Sequence, residues 1–290
     1  MTDTTLTLEQ ALADFLNALA GKNRSAATSR AYQSDIHQFI TWLHENNIVA
    51  VSPVQVKRAD ITEYLATLGA RGLSGVSRAR KIAALREYFR YLADHDAIAK
   101  SPLAGIETPK REKNGRTALS RDEYTAILSL AGTSPRDYAI LQVFLQTGLR
   151  VSELVALQLD DIDLTQRVLH VRSGKGMVAR SIELERKVTQ AIKNYVATRH
   201  TATYDHLFLN YQNEPISERG VRKLVAKYLH QAGIKKKASC HSLRHTFATA
   251  KAQQGISAYR LKEWLGHQSL ETTQIYVHPI GISFSGPLLV

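Results

Sequence analysis

Scarcities bound this chain before its motifs do. It holds one cysteine, Cys240, in 290 residues. An internal disulfide is excluded, and a reducing, cytoplasmic setting is expected. The lone thiol is expected to pack as a small hydrophobe rather than to react. No run of eighteen or more apolar residues occurs, so no membrane partner is expected. The opening residues, MTDTTLTLEQ, are polar and slightly acidic, unlike a secretory signal or an arginine-rich transit peptide. Metal-ligand spacing is missing too. His241 and His245 are four apart, but Ser, Leu and Arg intervene without a carboxylate, so no metal site is expected. A Cys–His hydrolase on Cys240 and His241 is disfavoured, because adjacent side chains diverge on a helix.

Positive charge is abundant and unevenly spread. The formal net charge is +12. Residues 1–110 hold 13 Lys and Arg against 11 Asp and Glu, whereas residues 111–290 hold 25 against 15. Such concentration points to a polyanionic partner as readily as to a solvated basic surface.

Hydrophobic spacing predicts a mainly α chain with a small antiparallel β-sheet. Thr7 and Gln10 form a capping-box pattern that opens the first helix. Tyr32, Ile36, Phe39, Ile40 and Leu43 stripe a second. Asp60 and Glu63 are expected to start a third, and Ser74 to precede a fourth. The fourth buries Ile82, Leu85, Phe89 and Leu92 and offers Arg78, Arg80, Lys81, Arg86 and Arg90 to phosphates. The stretch from Ser101 to Thr117, with Pro102, Gly105, Pro109, Gly115 and a run of basic residues, reads as an exposed linker. The expected domains are residues 1–105, a linker at 106–118, and residues 119–290.

In the second domain Ser120 and Glu123 cap a new helix. Residues 167–172 and 178–184 alternate in polarity around SGKGM, a hairpin with Lys175 at its tip. HLFLN (206–210) is expected to add a third strand. A helix from Ser217 turns Val221, Leu224, Val225, Tyr228 and Leu229 inward and Arg219, Arg222, Lys223 and Lys227 outward, suited to a nucleic-acid groove.

The chemistry-bearing residues fall in one order: Arg150 in TGLRVSEL, Lys175 in GKG, His241 and Arg244 in HSLRH, His267 in LGH, then Tyr276. Arginine grips phosphate oxygens as a bidentate fork. Lysine and histidine can move protons, and tyrosine can be a covalent nucleophile. Singly each is weak; as an ordered set they point to phosphodiester chemistry.

This set, with TGLRVSEL, HSLRHTFAT and LGHQSLETTQIY around it, resembles the tyrosine recombinase family, nearest its Xer-type members and related phage and transposon integrases. TSRAYQSDIHQFITWL and AALREYFRYL resemble the family's four-helix, SAM-like core-binding domain. The resemblance implies that Tyr276 attacks a scissile phosphate to form a 3′-phosphotyrosyl link. His241 would be the base, Arg150 and Arg244 the clamp, His267 a further donor and Lys175 the acid for the leaving 5′-oxygen. Glu153 would hold Arg150 or a neighbouring histidine in place. No cofactor or metal is implied. The implied partner is double-stranded DNA with two half-sites, met by a homo-tetramer or by a heteromer with a paralogue. An arm-binding segment ahead of residue 1 is not expected, which favours simple target sites. The tail VHPIGISFSGPLLV departs from the helical end of Xer-type relatives, since its prolines and glycines make a poor helix. A type IB topoisomerase and a catalytically silent DNA-binding accessory protein are the competing readings.

Overall fold

Local caps set where the helices begin. In the computed structural model, residues 6–21, 26–48, 52–108, 118–172, 179–199, 203–267, 269–274 and 276 are described. They divide into two units, residues 1–114 and 115–290.

The first unit holds α1 (Leu8–Gly21), α2 (Ala26–Glu45), α3 (Arg58–Ala70) and α4 (Gly75–Asp94). Thr7 and Gln10 cap α1 reciprocally, each accepting the other's backbone N–H. Ser74 accepts the Ser77 N–H at the start of α4. The third helix starts two residues ahead of Asp60, because Asp60 reaches back to the Lys57 N–H at 2.7 Å and so occupies the third helical position. Leu8, Leu12, Phe15 and Leu19 of α1 meet Ile36, Phe39 and Leu43 of α2 and Leu85, Phe89 and Leu92 of α4 in one core. Phe89 is fully buried; truncating such a ring typically costs about 3–5 kcal/mol.

Part of the expected linker is drawn into this unit. Leu103 and Ile106 join its core. Arg86 holds the Ile106 carbonyl at 2.8 Å and the Thr108 hydroxyl at 3.1 Å, and Arg58 holds the Gly105 carbonyl at 3.1 Å. Residues 109–117 of that linker lie outside the described residues.

The second unit is built on α6 (Pro135–Thr147), whose residues from Ala139 to Thr147 are all buried. Ser134 caps it, Pro135 opens it, and Gly148 ends it in the left-handed region. A Cβ on Gly148 would stand 2.4 Å from Phe247, so glycine is required by space as well as by φ. Around α6 pack α5 (Arg121–Ala131), α8 (Arg186–Ala197) and α10 (Cys240–Gln253). Ser120 and Glu123 form the expected capping box on α5. The unit is completed by α7 (Val151–Ala156), α9 (Glu218–Gln231), α11 (Ala258–Leu265) and α12 (Glu271–Gln274). Ser217 caps α9 as expected. Among the described residues no helix is long and apolar enough to cross a membrane.

A three-stranded antiparallel sheet, in the order β1 (Ile162–Asp163), β2 (Val168–Val171), β3 (Arg180–Glu183), contains the predicted hairpin. Val168 pairs with Glu183 and Val171 with Arg180. The hairpin tip, including Lys175, lies outside the described residues. The third strand is β1 and not HLFLN. His206 and Leu209 make only isolated bridges, because Leu207 gives its N–H to the Leu157 carbonyl and Leu209 to the Tyr195 hydroxyl instead.

Candidate active site

The abrupt end of α6 sets the first functional side chain. Gly148 turns the chain, Leu149 is buried, and Arg150 becomes the residue preceding α7. Its backbone N–H is held by Glu153 at 2.8 Å, so the residue that caps the helix also grips its neighbour's side chain. The Arg150 guanidinium donates to Glu153 at 2.9 Å and to the Gly266 carbonyl at 2.9 Å. It stays about a third exposed, at 34%.

Arg244 lies on α10, three residues after His241, and is 2% exposed. It donates to the Gly148 and Leu265 carbonyls, both at 2.7 Å. Burial first, and then the positive charge of Arg150, lower its pKa to about 10; Glu153 and Tyr276 oppose the shift. It remains a cation at neutral pH. Leu149, Arg150, Glu218, Arg222, His241 and Arg244 line one cleft of about 370 Å³.

Glu153 is buried beneath these cations. Burial alone would raise its pKa, but the hydrogen bonds and charges of Arg180 and Arg150 hold it below the ordinary carboxylate value. Arg180 reaches it bidentately from β3, at 3.0 and 2.9 Å. The Arg180 Nε donates to the Trp264 carbonyl at 2.7 Å.

Gly266 ends α11 in the left-handed region, and His267 follows. The His267 Nδ1 lies 2.8 Å from the Thr273 hydroxyl. Tyr276 is 7% exposed and packs with Phe247, Ala248 and Leu265. Its ring centroid is 5.0 Å from that of His245. Its hydroxyl is buried with no hydrogen-bond partner among the described residues.

Arg150, His241 and Arg244 are thus brought to one cleft, with Glu153 beneath it. His267 directly follows the α11 turn that holds the arginines, and Tyr276 packs on Leu265 of that turn. Lys175 lies outside the described residues, as does the tail 277–290. The expected phosphate-facing residues divide. Lys81 is buried, because Asp35 and Gln38 on α2 take its ammonium at 3.0 and 2.7 Å; it is not on the outward face. Arg80 pairs with the same Asp35 but keeps half its side chain exposed. Arg78 is only partly exposed, and Arg86 is exposed with its donors turned to Ile106 and Thr108. On α9, Arg219 and Lys223 are exposed. Arg222 pairs with Glu218, and the Lys227 ammonium sits 4.7 Å over the Tyr228 ring. Cys240 is buried, and burial pushes its thiol up to about 11.

The sequence reading missed Arg180, Thr273 and His245. A signal existed for Arg180: period-two alternation places it on the inward face of β3 with Ile182.

Chemically, two guanidiniums at one cleft can hold the non-bridging oxygens of a phosphodiester, with an imidazole beside them and a phenol on the same platform. Comparison with known proteins agrees with this chemistry. Residues 117–280 match the phage integrase family, and residues 12–96 match the phage integrase N-terminal SAM-like domain. Tyrosine recombinase XerD of Listeria innocua serovar 6a is 34% identical over 276 residues, covering 91% of this chain and 92% of that protein. Tyrosine recombinase XerC of Pelobacter propionicus is 35% identical over 277 residues, covering 93% and 91%. A lambda integrase tetramer bound to a Holliday junction superposes with a TM-score of 0.78 at 20% identity, covering 98% of this chain and 81% of that one; this likeness concerns the fold. With more than half of its length matched by the family and nine-tenths aligned with curated relatives, the chain belongs to the phage integrase family, among the tyrosine recombinases.

Proposed function

We infer that this tyrosine recombinase cuts and rejoins DNA at specific sites through a covalent link to Tyr276. The carrying observation is the convergence of Arg150, His241 and Arg244 on one cleft, with Tyr276 packed in the same cluster as Leu265, whose carbonyl Arg244 holds. The phenol oxygen attacks the scissile phosphorus, and its proton passes to His241. The bond to the 5′-oxygen breaks, and Lys175 protonates that oxygen. Arg150, Arg244 and His267 stabilise the charge that builds on the non-bridging oxygens. The phosphodiester energy is kept in the tyrosyl ester, so a 5′-hydroxyl from another strand reverses the step without ATP. Fixed cations supply charge stabilisation at the phosphate.

The DNA carries two half-sites around a short spacer, and Arg78, Arg80, Arg86, Arg219, Arg222, Lys223 and Lys227 contribute to its basic face. Four protomers act together, as in the lambda integrase tetramer on its junction. They are copies of this chain or a mixture with a paralogue, and they work in the cytoplasm on the nucleoid. Relatives that are recombinases across nine-tenths of the chain weigh against the topoisomerase and accessory readings.

The test has two steps. Sequencing DNA crosslinked to the protein identifies the site. A nicked duplex of that site then traps a protein–DNA adduct with wild type and none with Tyr276→Phe. An adduct that survives the substitution would refute the assignment.

A further inference from the structure

Three arginines take three consecutive carbonyls at the end of α11. Arg180 binds that of Trp264, Arg244 that of Leu265, and Arg150 that of Gly266. These are the carbonyls that a helix end leaves without intrahelical partners, and they carry the negative end of its dipole. The same arginines surround one carboxylate. Arg150 and Arg180 bond Glu153, and Arg244 lies 4.0 Å from it. Arg180 differs from the other two in that it is absent from the cleft that Arg150 and Arg244 line. Each of its three nitrogens donates to a protein acceptor, and its side chain is 7% exposed. Arg150 lines the cleft and is 34% exposed. The fit leaves no slack, since a Cβ on Gly266 would stand 2.8 Å from the Arg180 guanidinium.

We propose that Arg180 is a positioning residue for the cleavage reaction, fixing Glu153 and the α11 end so that Arg150 is held in the geometry the scissile phosphate needs. It does not touch the phosphate. It ties β3, which carries the hairpin, to α7 and to the turn that precedes His267. Only a planar fork with a third donor makes all three contacts, so lysine cannot replace it. The proposal rests on the functional reading above.

The experiment measures single-turnover adduct formation on the nicked duplex, together with duplex affinity and melting temperature. Arg180→Lys and Arg180→Gln are expected to lower the cleavage rate about 10- to 100-fold, the usual range for partners that orient a working group. Duplex affinity stays near wild type. The discriminating readout is a double-variant cycle with Arg150→Lys. If Arg180 acts through Arg150, the double variant is scarcely slower than the slower single. Multiplying losses would overturn the proposal, as would wild-type rates in both variants. Failure of both variants to fold would assign Arg180 to stability alone and also overturn it. An absent adduct with wild type would instead sink the functional reading, and this proposal with it.

Discussion

Each unit holds a buried carboxylate shared by two or more cations, Asp35 in the first and Glu153 in the second, and the two clusters are built differently. In the first unit Asp35 receives Lys81, itself buried, and Arg80, whose side chain is 52% exposed. The cluster ties α2 to α4 and goes no further. In the second unit Glu153 sits among Arg150, Arg180 and Arg244, drawn from the residue before α7, from β3 and from α10. The first pairing is local bracing. The second gathers four segments and keeps one guanidinium facing a cleft. Burial of a charged group therefore does not mark a site by itself; an excess of forked cations aimed at open space does.

Three experiments can break or sharpen this contrast. The largest effect is expected from Arg150→Ala. Removing one preorganised donor typically costs about 100- to 1,000-fold in rate, with melting little changed because Arg180 still satisfies Glu153. The measurement is adduct formation beside thermal denaturation. Lys81→Met should invert that pattern. Asp35 then keeps only the half-exposed Arg80 as its partner, so stability falls by at most about 3–5 kcal/mol, while the folded fraction cleaves normally; Arg80→Ala, at the exposed end, should cost about 1 kcal/mol or less. Equal losses of rate from Lys81 and Arg150 would erase the contrast.

The smallest effect is a pH dependence. The Glu153 pKa is lowered in the fold from its ordinary 4.5. A depressed carboxylate stabilises above its unfolded value and loses that contribution as pH falls through the folded one. Melting temperature should drop between neutral pH and pH 3, and Glu153→Gln should flatten that limb. An unchanged acid limb would mean that the carboxylate is not held by its arginines.

Sequence made the caps legible because they are local. Thr7 with Gln10, Ser120 with Glu123, and Ser217 each depend on neighbours three residues away. The β2–β3 hairpin followed from alternation. The cleft residues were legible as an ordered set of types. What escaped depends on distant partners. Lys81 shares its helical face with Leu85, Tyr88 and Leu92, which are buried. Its charge argued for solvent, and Asp35, forty-six positions away, decided otherwise. Arg180 likewise lies on an inward strand face, but its place is set by Glu153 and by a backbone carbonyl on α11 that no side-chain pattern announces.

The α11 end has a consequence beyond catalysis. Three full positive charges are met there by one carboxylate and by carbonyls with only partial charge. The resting enzyme is therefore electrically incomplete at its centre. On the function proposed above, an arriving strand supplies the missing counterion, so substrate and scaffold complete each other.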